Sequence, residues 1–342
     1  MHLIYLFIFS MFLATGIEAE IVRRAAIDIG SGSTKVAIAE VDTETNQITE
    51  VLLDASYPVP YQAALDHSAD STFDEETKFE GLRVFKEIKT IADQFEVRQV
   101  VAVATSAFRK ANNVRPFLSQ IKNETGIEVL IIPQREEGEI AFFSALASGD
   151  LNSQEVLVWD IGTGSQQMTV MNEKGELVVY MGENMGSVEF KHYIMDVIQS
   201  DETDISPNPI SDEEYKIADS YGRAFGRRAT PLIKQKIQEN ISVVGIGRLF
   251  YNSIRPIAAK DGVINRKGLR TFIAASLNKT DQELNNPFAH VDVSNAILVL
   301  AIMKALHIQT IRPLETTSTR GLLINPACWE SSARLESSAP AA

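Results

Sequence analysis

Apolar and polar positions alternate along this chain in blocks whose lengths predict alternating strands and helices. Residues 26 to 38 form an apolar run that breaks at Asp28-Ile-Gly30-Ser31-Gly32-Ser33 and then resumes. Residues 158 to 170 repeat the pattern, with the break at Asp160-Ile-Gly162-Thr163-Gly164-Ser165. Each break predicts a strand, a glycine-rich turn and a second strand. Ile48 to Leu53 extends the first set. A polar stretch carrying Pro58, Pro60 and His67 predicts a surface loop. Leu82, Phe85, Ile88 and Phe95 fall at helical spacing within residues 79 to 95. A buried strand is expected over residues 99 to 105, a helix over 117 to 125 and a strand over 126 to 133. A further helix is expected to start at Gln134.

Beyond the second hairpin, residues 177 to 182 predict a strand. Met185-Gly-Ser-Val predicts a turn entering a helix, and residues 200 to 212 a loop. Helical spacing covers 213 to 240 and 267 to 284. Residues 241 to 249 predict a strand, a glycine turn at Gly245 and Gly247, and a helix start. Val291 to Leu306 is a strongly apolar helix suited to a core, and Thr316 to Ile324 a final strand.

The two hairpins lie 132 positions apart, counted from Asp28 to Asp160. A lone glycine-rich hairpin is usually just a turn, but an internal duplication is hard to obtain by accident. Glycines let backbone approach an anion, and turn N–H groups can point at a phosphate. An adjacent aspartate can hold a divalent cation. Two facing copies therefore predict a phosphate clamp between two related domains. Thr105 and Ser106 sit where a strand runs into a helix start, another natural anion site. Arg109 can add a bidentate phosphate contact. Glu136 and Glu137 lie in a first helical turn, where the macrodipole alone accounts for acidic residues.

Composition narrows the function. Lys and Arg total 32 against 45 Asp and Glu, a net charge of −13. That argues against nonspecific nucleic-acid binding. A polyanionic substrate must then be drawn in by local positive charge. Cys328 is the one cysteine, which excludes an intramolecular disulfide framework and a cysteine zinc site, and the five histidines show no ligand spacing. Residues 3 to 13 are apolar but too short to span a bilayer. Residues 1–19 are read as a signal peptide, leaving no membrane span after processing and a periplasmic or secreted protein; the alternative is cytoplasmic. The Ser-, Ala- and Pro-rich end, residues 327–342, is expected to be disordered.

The ordered set of motifs resembles the exopolyphosphatase / guanosine pentaphosphate phosphatase family of the actin-like superfamily. It runs through Ala25-Ala-Ile-Asp28-Ile-Gly-Ser-Gly-Ser, Ala104-Thr-Ser-Ala-Phe-Arg109 and Arg135-Glu136-Glu137-Gly-Glu-Ile. It continues through Asp160-Ile-Gly-Thr-Gly-Ser, Met185-Gly-Ser-Val-Glu, Gly245-Ile-Gly and Thr319-Arg-Gly-Leu-Leu. The resemblance implies an α/β protein of two duplicated actin-like (ribonuclease H-like) domains with a phosphate-binding cleft. Domain I would span 20–133, with 310–326 returning to it, and domain II 134–309. It implies hydrolysis of a terminal phosphoanhydride in polyphosphate or guanosine pentaphosphate. Glu137, or its neighbour Glu136, would act on the attacking water, and Arg109 matches the family arginine. Asp28 and Asp160 match the acidic residues of the two loops, with Mg²⁺ as the expected cofactor. A homodimer is compatible with the family. The chain departs from the family pattern at Gly32, Gly138, Thr163, Gln166-Gln167 and His290-Val-Asp292. Gln167 removes a charged metal ligand, which leaves room for a phosphate-binding sensor with weak turnover.

Overall fold

The computed structural model describes residues 20–200 and 205–329. The signal peptide expected over 1–19 lies outside the described residues, as does the tail from residue 330. Two sheets organise the chain. The first holds β1 (Ile21–Ile29), β2 (Ser33–Asp42), β3 (Gln47–Pro58), β4 (Gln99–Ala104) and β5 (Val129–Ile131), in the order β3-β2-β1-β4-β5. The second holds β6 (Val156–Ile161), β7 (Ser165–Met171), β8 (Leu177–Glu183), β9 (Ser242–Ile246), β10 (Ala259–Lys260), β11 (Val263–Asn265) and β12 (Thr310–Pro313). Its order is β10-β11-β12-β9-β6-β7-β8.

The sheets repeat one plan. In each, three antiparallel strands joined by hairpins lead to strands laid parallel beside the first: β1 to β4 to β5, and β6 to β9 to β12. This is the two-domain actin-like architecture. The duplication extends to single residues, because Asp28 pairs with Lys35 and Asp160 pairs with Gln167 at the same step of each hairpin.

Helices cover the sheets. In the first half they are α1 (Tyr61–Asp66), α2 (Glu75–Gln94), α3 (Ser106–Lys110) and α4 (Val114–Thr125). They close a core around Phe73, Phe85, Phe108 and Phe117. The chain then crosses into α5 (Gln134–Ser148). The second half adds α6 (Ser187–His192), α7 (Asp212–Arg227), α8 (Pro231–Gln238), α9 (Arg255–Ala258), α10 (Arg266–Ser276), α11 (Asp281–Leu284) and α12 (Ala289–Leu306). π-helical turns at Tyr193–Gln199 and Leu249–Ile254 join two of these. α12 is long and apolar enough to cross a membrane, but it is buried in the second core, as the sequence predicts.

Four local expectations change. The stretch around Pro58 to His67 is not a loop, since β3 runs to Pro58 and Tyr61–Asp66 is a helix; buried Tyr61 anchors it in the phenylalanine cluster. The final strand expected at Thr316–Ile324 is instead α13 (Ser318–Ile324), and the strand lies earlier, at β12. β12 pairs with β9, so residues 310–313 belong to the second sheet, and only α13 packs on β1 and β2 of the first. The ends of the expected helices at 213–240 and 267–284 also differ, because Thr230 and Thr280 each cap a new helix start. Finally, residues 327–329 are ordered. Trp329 is buried, its indole N–H donates to the Leu322 carbonyl at 2.8 Å, and its ring stacks under Arg24.

Two helices meet between the halves through one small residue. A Cβ on Gly321 of α13 would lie 2.0 Å from the Ile140 carbonyl oxygen of α5. The Gly321 N–H donates to Ser144 Oγ at 3.0 Å. Gly321→Ala is expected to cost about 3 kcal/mol, because backbone rather than a flexible side chain blocks the methyl group. Gly32→Ala, with nothing within 4 Å of its Cβ, is expected to leave the urea midpoint unchanged.

Candidate active site

The two glycine turns face each other across a cavity of about 380 Å³ between the sheets. Their local geometry is the same. Gly30 N–H donates to the Ser33 carbonyl at 3.0 Å, and Gly162 N–H to the Ser165 carbonyl at 2.9 Å. The loop carbonyls are taken from outside. Gln62 and Val59 donate to Ser31 and Gly32, while Val188 and Gly186 donate to Thr163 and Gly164. Among the described residues, the amides of Ser31, Gly32, Thr163 and Gly164 have no such partner, which leaves them for an anion. Gly186 permits this arrangement, since a Cβ there would lie 2.3 Å from the Thr163 carbonyl oxygen.

Most of the residues singled out from sequence line this cavity. Both turns, Gly30 to Ser33 and Gly162 to Ser165, do so, with Thr105, Ser106, Glu137, Gly247, Asp28 and Asp160. The Ser106 hydroxyl is buried with no partner. Gly247 has φ +88°, and a Cβ there would lie 2.9 Å from Asp160 Oδ1.

Three candidates stand elsewhere. Gly245 lies in β9, where its missing Cβ makes room for Phe250, so its glycine serves packing. Glu136 is exposed and does not line the cavity. Arg109 stands behind Glu137 rather than in the cavity wall: its two terminal nitrogens donate to Glu137 Oε2 at 3.1 and 3.2 Å, and one also to the Ile132 carbonyl at 3.0 Å. That grip fixes one carboxylate oxygen and leaves the other for chemistry.

The electrostatics follow from burial. Desolvation pushes the Glu137 carboxyl up to about 7; Arg109 opposes this, and the charges of Asp160 and Asp28 reinforce it. Desolvation likewise raises Asp160 to about 6, with Lys35 opposing and Asp28 reinforcing. Burial pulls Lys35 down, but Asp28 and Asp160 outweigh it and hold the ammonium above its ordinary value. Lys35 Nζ lies 3.0 Å from Asp28 Oδ2, and the Ser318 hydroxyl also donates to Asp28.

Several cavity residues were not read as site residues from sequence: Lys35, Ser187, Arg248, Asn252, Asn295, Thr317 and Ser318. Ser187 sits in the Met-Gly-Ser-Val segment and Ser318 beside Thr319, so the motifs marked their neighbourhood. Asn252 and Asn295 carry no local signal. Gly138 matters more than a single methyl suggests, since a Cβ there would lie 2.5 Å from Val179 Cγ1 and so α5 packs tightly on β7 and β8.

The Ppx/GppA phosphatase family model matches residues 61–327. The chain belongs to the Ppx/GppA phosphatase family. The family is one of phosphatases. The Aquifex aeolicus Ppx/GppA family member superposes with a TM-score of 0.70 at 21% identity, covering 91% of this chain and 99% of that one. A Cytophaga hutchinsonii exopolyphosphatase gives 0.67 at 20% identity, covering 88% and 96%. A bifunctional 3-dehydroquinate synthase/phosphatase of Fusobacterium nucleatum is 30% identical over 171 residues, 48% of this chain; the match spans 25% of that relative's length.

Asp160 gives a stability test. Its folded value is raised above the unfolded one, so the folded state holds the proton more tightly. The stability this gives is present below the unfolded value near 4 and lost as pH rises through about 6. In metal-free buffer at pH 8, Asp160→Asn is expected to raise unfolding stability by about 1–2 kcal/mol, and the gain should vanish at pH 3.5. Urea denaturation at both pH values checks this.

Proposed function

We propose that the cleft hydrolyses the terminal phosphoanhydride of linear polyphosphate and releases orthophosphate. The observation that carries this reading is Glu137: a buried carboxyl raised to about 7, gripped by Arg109 at one oxygen and facing two amide-lined turns. A base with that value is well matched to taking a proton from water near neutral pH. The amides of the turns at Gly30–Ser33 and Gly162–Ser165 hold the terminal phosphate, and the Ser106 hydroxyl is placed to add a hydrogen bond. Glu137 orients the attacking water and accepts its proton. The oxygen–phosphorus bond to the next phosphate breaks, and the shortened chain departs with the bonding electrons.

The residues present suit a magnesium ion. Among the described residues, Asp160 is a half-buried carboxylate without a contacting cation, and beside it Gln167 Oε1 is buried with no hydrogen-bond partner. Among the described residues no three-member cluster of His, Cys, Asp or Glu is placed to hold a metal by itself. Mg²⁺ commonly binds through one or two carboxylates and completes its shell with water and phosphate oxygens. Asp160 would hold it, with Asp28 nearby. When bound, the ion would offset phosphate charge.

An exported location, expected from residues 1–19, favours polyphosphate over guanosine pentaphosphate. A second reading, a polyphosphate sensor with weak turnover, is favoured by Gln167, whose neutral amide stands where a third acidic group would strengthen the metal site.

The test is phosphate release with Mg²⁺ from medium-chain polyphosphate and from guanosine pentaphosphate in parallel. Polyphosphate is expected to be the better substrate, and Glu137→Gln to lower kcat by about 10²- to 10⁴-fold. Binding of polyphosphate with no release from either substrate would instead establish the sensor. The pH dependence carries a sign. Glu137 must be unprotonated, so kcat/KM is expected to rise with pH through a midpoint near 7. Arg109→Ala removes a charge that lowers the Glu137 value, so that limb should move to higher pH; an unmoved limb would exclude Glu137 as the titrating base.

A further inference from the structure

Arg248 follows the Gly247 turn, whose φ of +88° suits glycine, and lines the cavity. The backbone there runs close beside Asp160, since a Cβ on Gly247 would lie 2.9 Å from its Oδ1. The side chain leaves that point and crosses to the other half of the molecule, where its Nη2 donates to Ser56 Oγ on β3 at 2.8 Å. Ser56 pairs directly with Lys35 of β2. Arg248 therefore spans the gap from the Asp160 side to the Lys35 side.

Its partner is unusual for this part of the molecule. Lys35 is paired with Asp28 at 3.0 Å, Arg109 with Glu137 at 3.1 Å, Lys110 with Glu189 at 2.9 Å and Arg320 with Asp54 at 2.8 Å. Among the described residues, Arg248 has no carboxylate within salt-bridge distance, only a neutral hydroxyl. Its charge still acts on Lys35. A guanidinium gains by exchanging a neutral acceptor for an anionic one, and its planar fork fits two phosphate oxygens.

We propose that Arg248 is a specificity-determining residue that binds the phosphate next to the terminal one, exchanging Ser56 for phosphate oxygens. This rests on the polyphosphate reading above. The terminal phosphate is held by turn amides, so Arg248 contributes only when a second phosphate follows. The cleft thereby distinguishes a phosphate chain from a single phosphate. As the bond between the two phosphates breaks, the same guanidinium faces the negative charge that develops on the departing one.

Calorimetric titration of the full chain in Mg²⁺ buffer, in a Glu137→Gln background that slows turnover, with tripolyphosphate and with orthophosphate tests this. Arg248→Gln is expected to weaken tripolyphosphate binding about 10- to 100-fold and to leave orthophosphate binding within twofold. Ser56→Ala is expected to leave both unchanged, or to tighten tripolyphosphate slightly by freeing the arginine. Equal loss for both anions, or no loss for either, overturns the proposal. A loss in Ser56→Ala as large as in Arg248→Gln also overturns it, since the pair would then be a strap that shapes the cleft. Thermal midpoints of the variants show whether each is folded. Failure of the Glu137→Gln parent chain to bind tripolyphosphate would sink the polyphosphate reading itself. Binding that ignores Arg248 would sink only the present inference.

Discussion

Three carboxylates share one partly desolvated cleft, and the rest of the site is arranged around that constraint. Asp28, Glu137 and Asp160 repel one another, and removal from water penalises the charges of Glu137 and Asp160. The chain meets this unequally. Asp28 is neutralised by Lys35 and takes a hydrogen bond from Ser318. Glu137 is paired with Arg109. Among the described residues, Asp160 has no contacting cation. The duplicated hairpins explain the contrast, because Lys35 and Gln167 hold equivalent positions opposite Asp28 and Asp160. One copy of the motif carries its own counter-charge; the other leaves its aspartate in want of one.

That asymmetry separates two tasks that the sequence repeats as one. The first turn is electrostatically complete before anything binds. The second pairs an amide-lined loop with an unsatisfied carboxylate, a combination suited to a cation and an anion arriving together. Cavity volume and fold alone would make the two turns interchangeable. The cross-strand neighbours, with the Ser318 bond to Asp28, distinguish them.

Much of this was legible in the sequence. The paired Asp-Ile-Gly turns announced the duplication, and strict strand–turn–strand patterning placed both hairpins. The duplication also contained the missing strand: β12 occupies in the second sheet the place of β5 in the first, although a four-residue strand with exposed Thr310 and Arg312 gives little periodicity of its own. Thr316 to Ile324 read as a strand because a short apolar run does not distinguish strand from helix; packing of Gly321 on α5 decides it. Arg109 was recognisable as functional, but not its role, since a side chain that holds a base and one that holds a phosphate look alike in sequence. Asn295 and Asn252 were invisible, because only tertiary packing brings them to the cleft.

The return of α13 has a mechanical consequence. The chain passes between the halves at residues 132–134 and again at 314–317, and α5 and α13 touch beside both crossings. A body joined at two adjacent strands of backbone can turn about the line through them but cannot slide along it. Any opening of the cleft would turn about that line. The Ser318–Asp28 bond lies next to it, whereas Lys110–Glu189 and Arg248–Ser56 reach across the gap and would be the contacts to part.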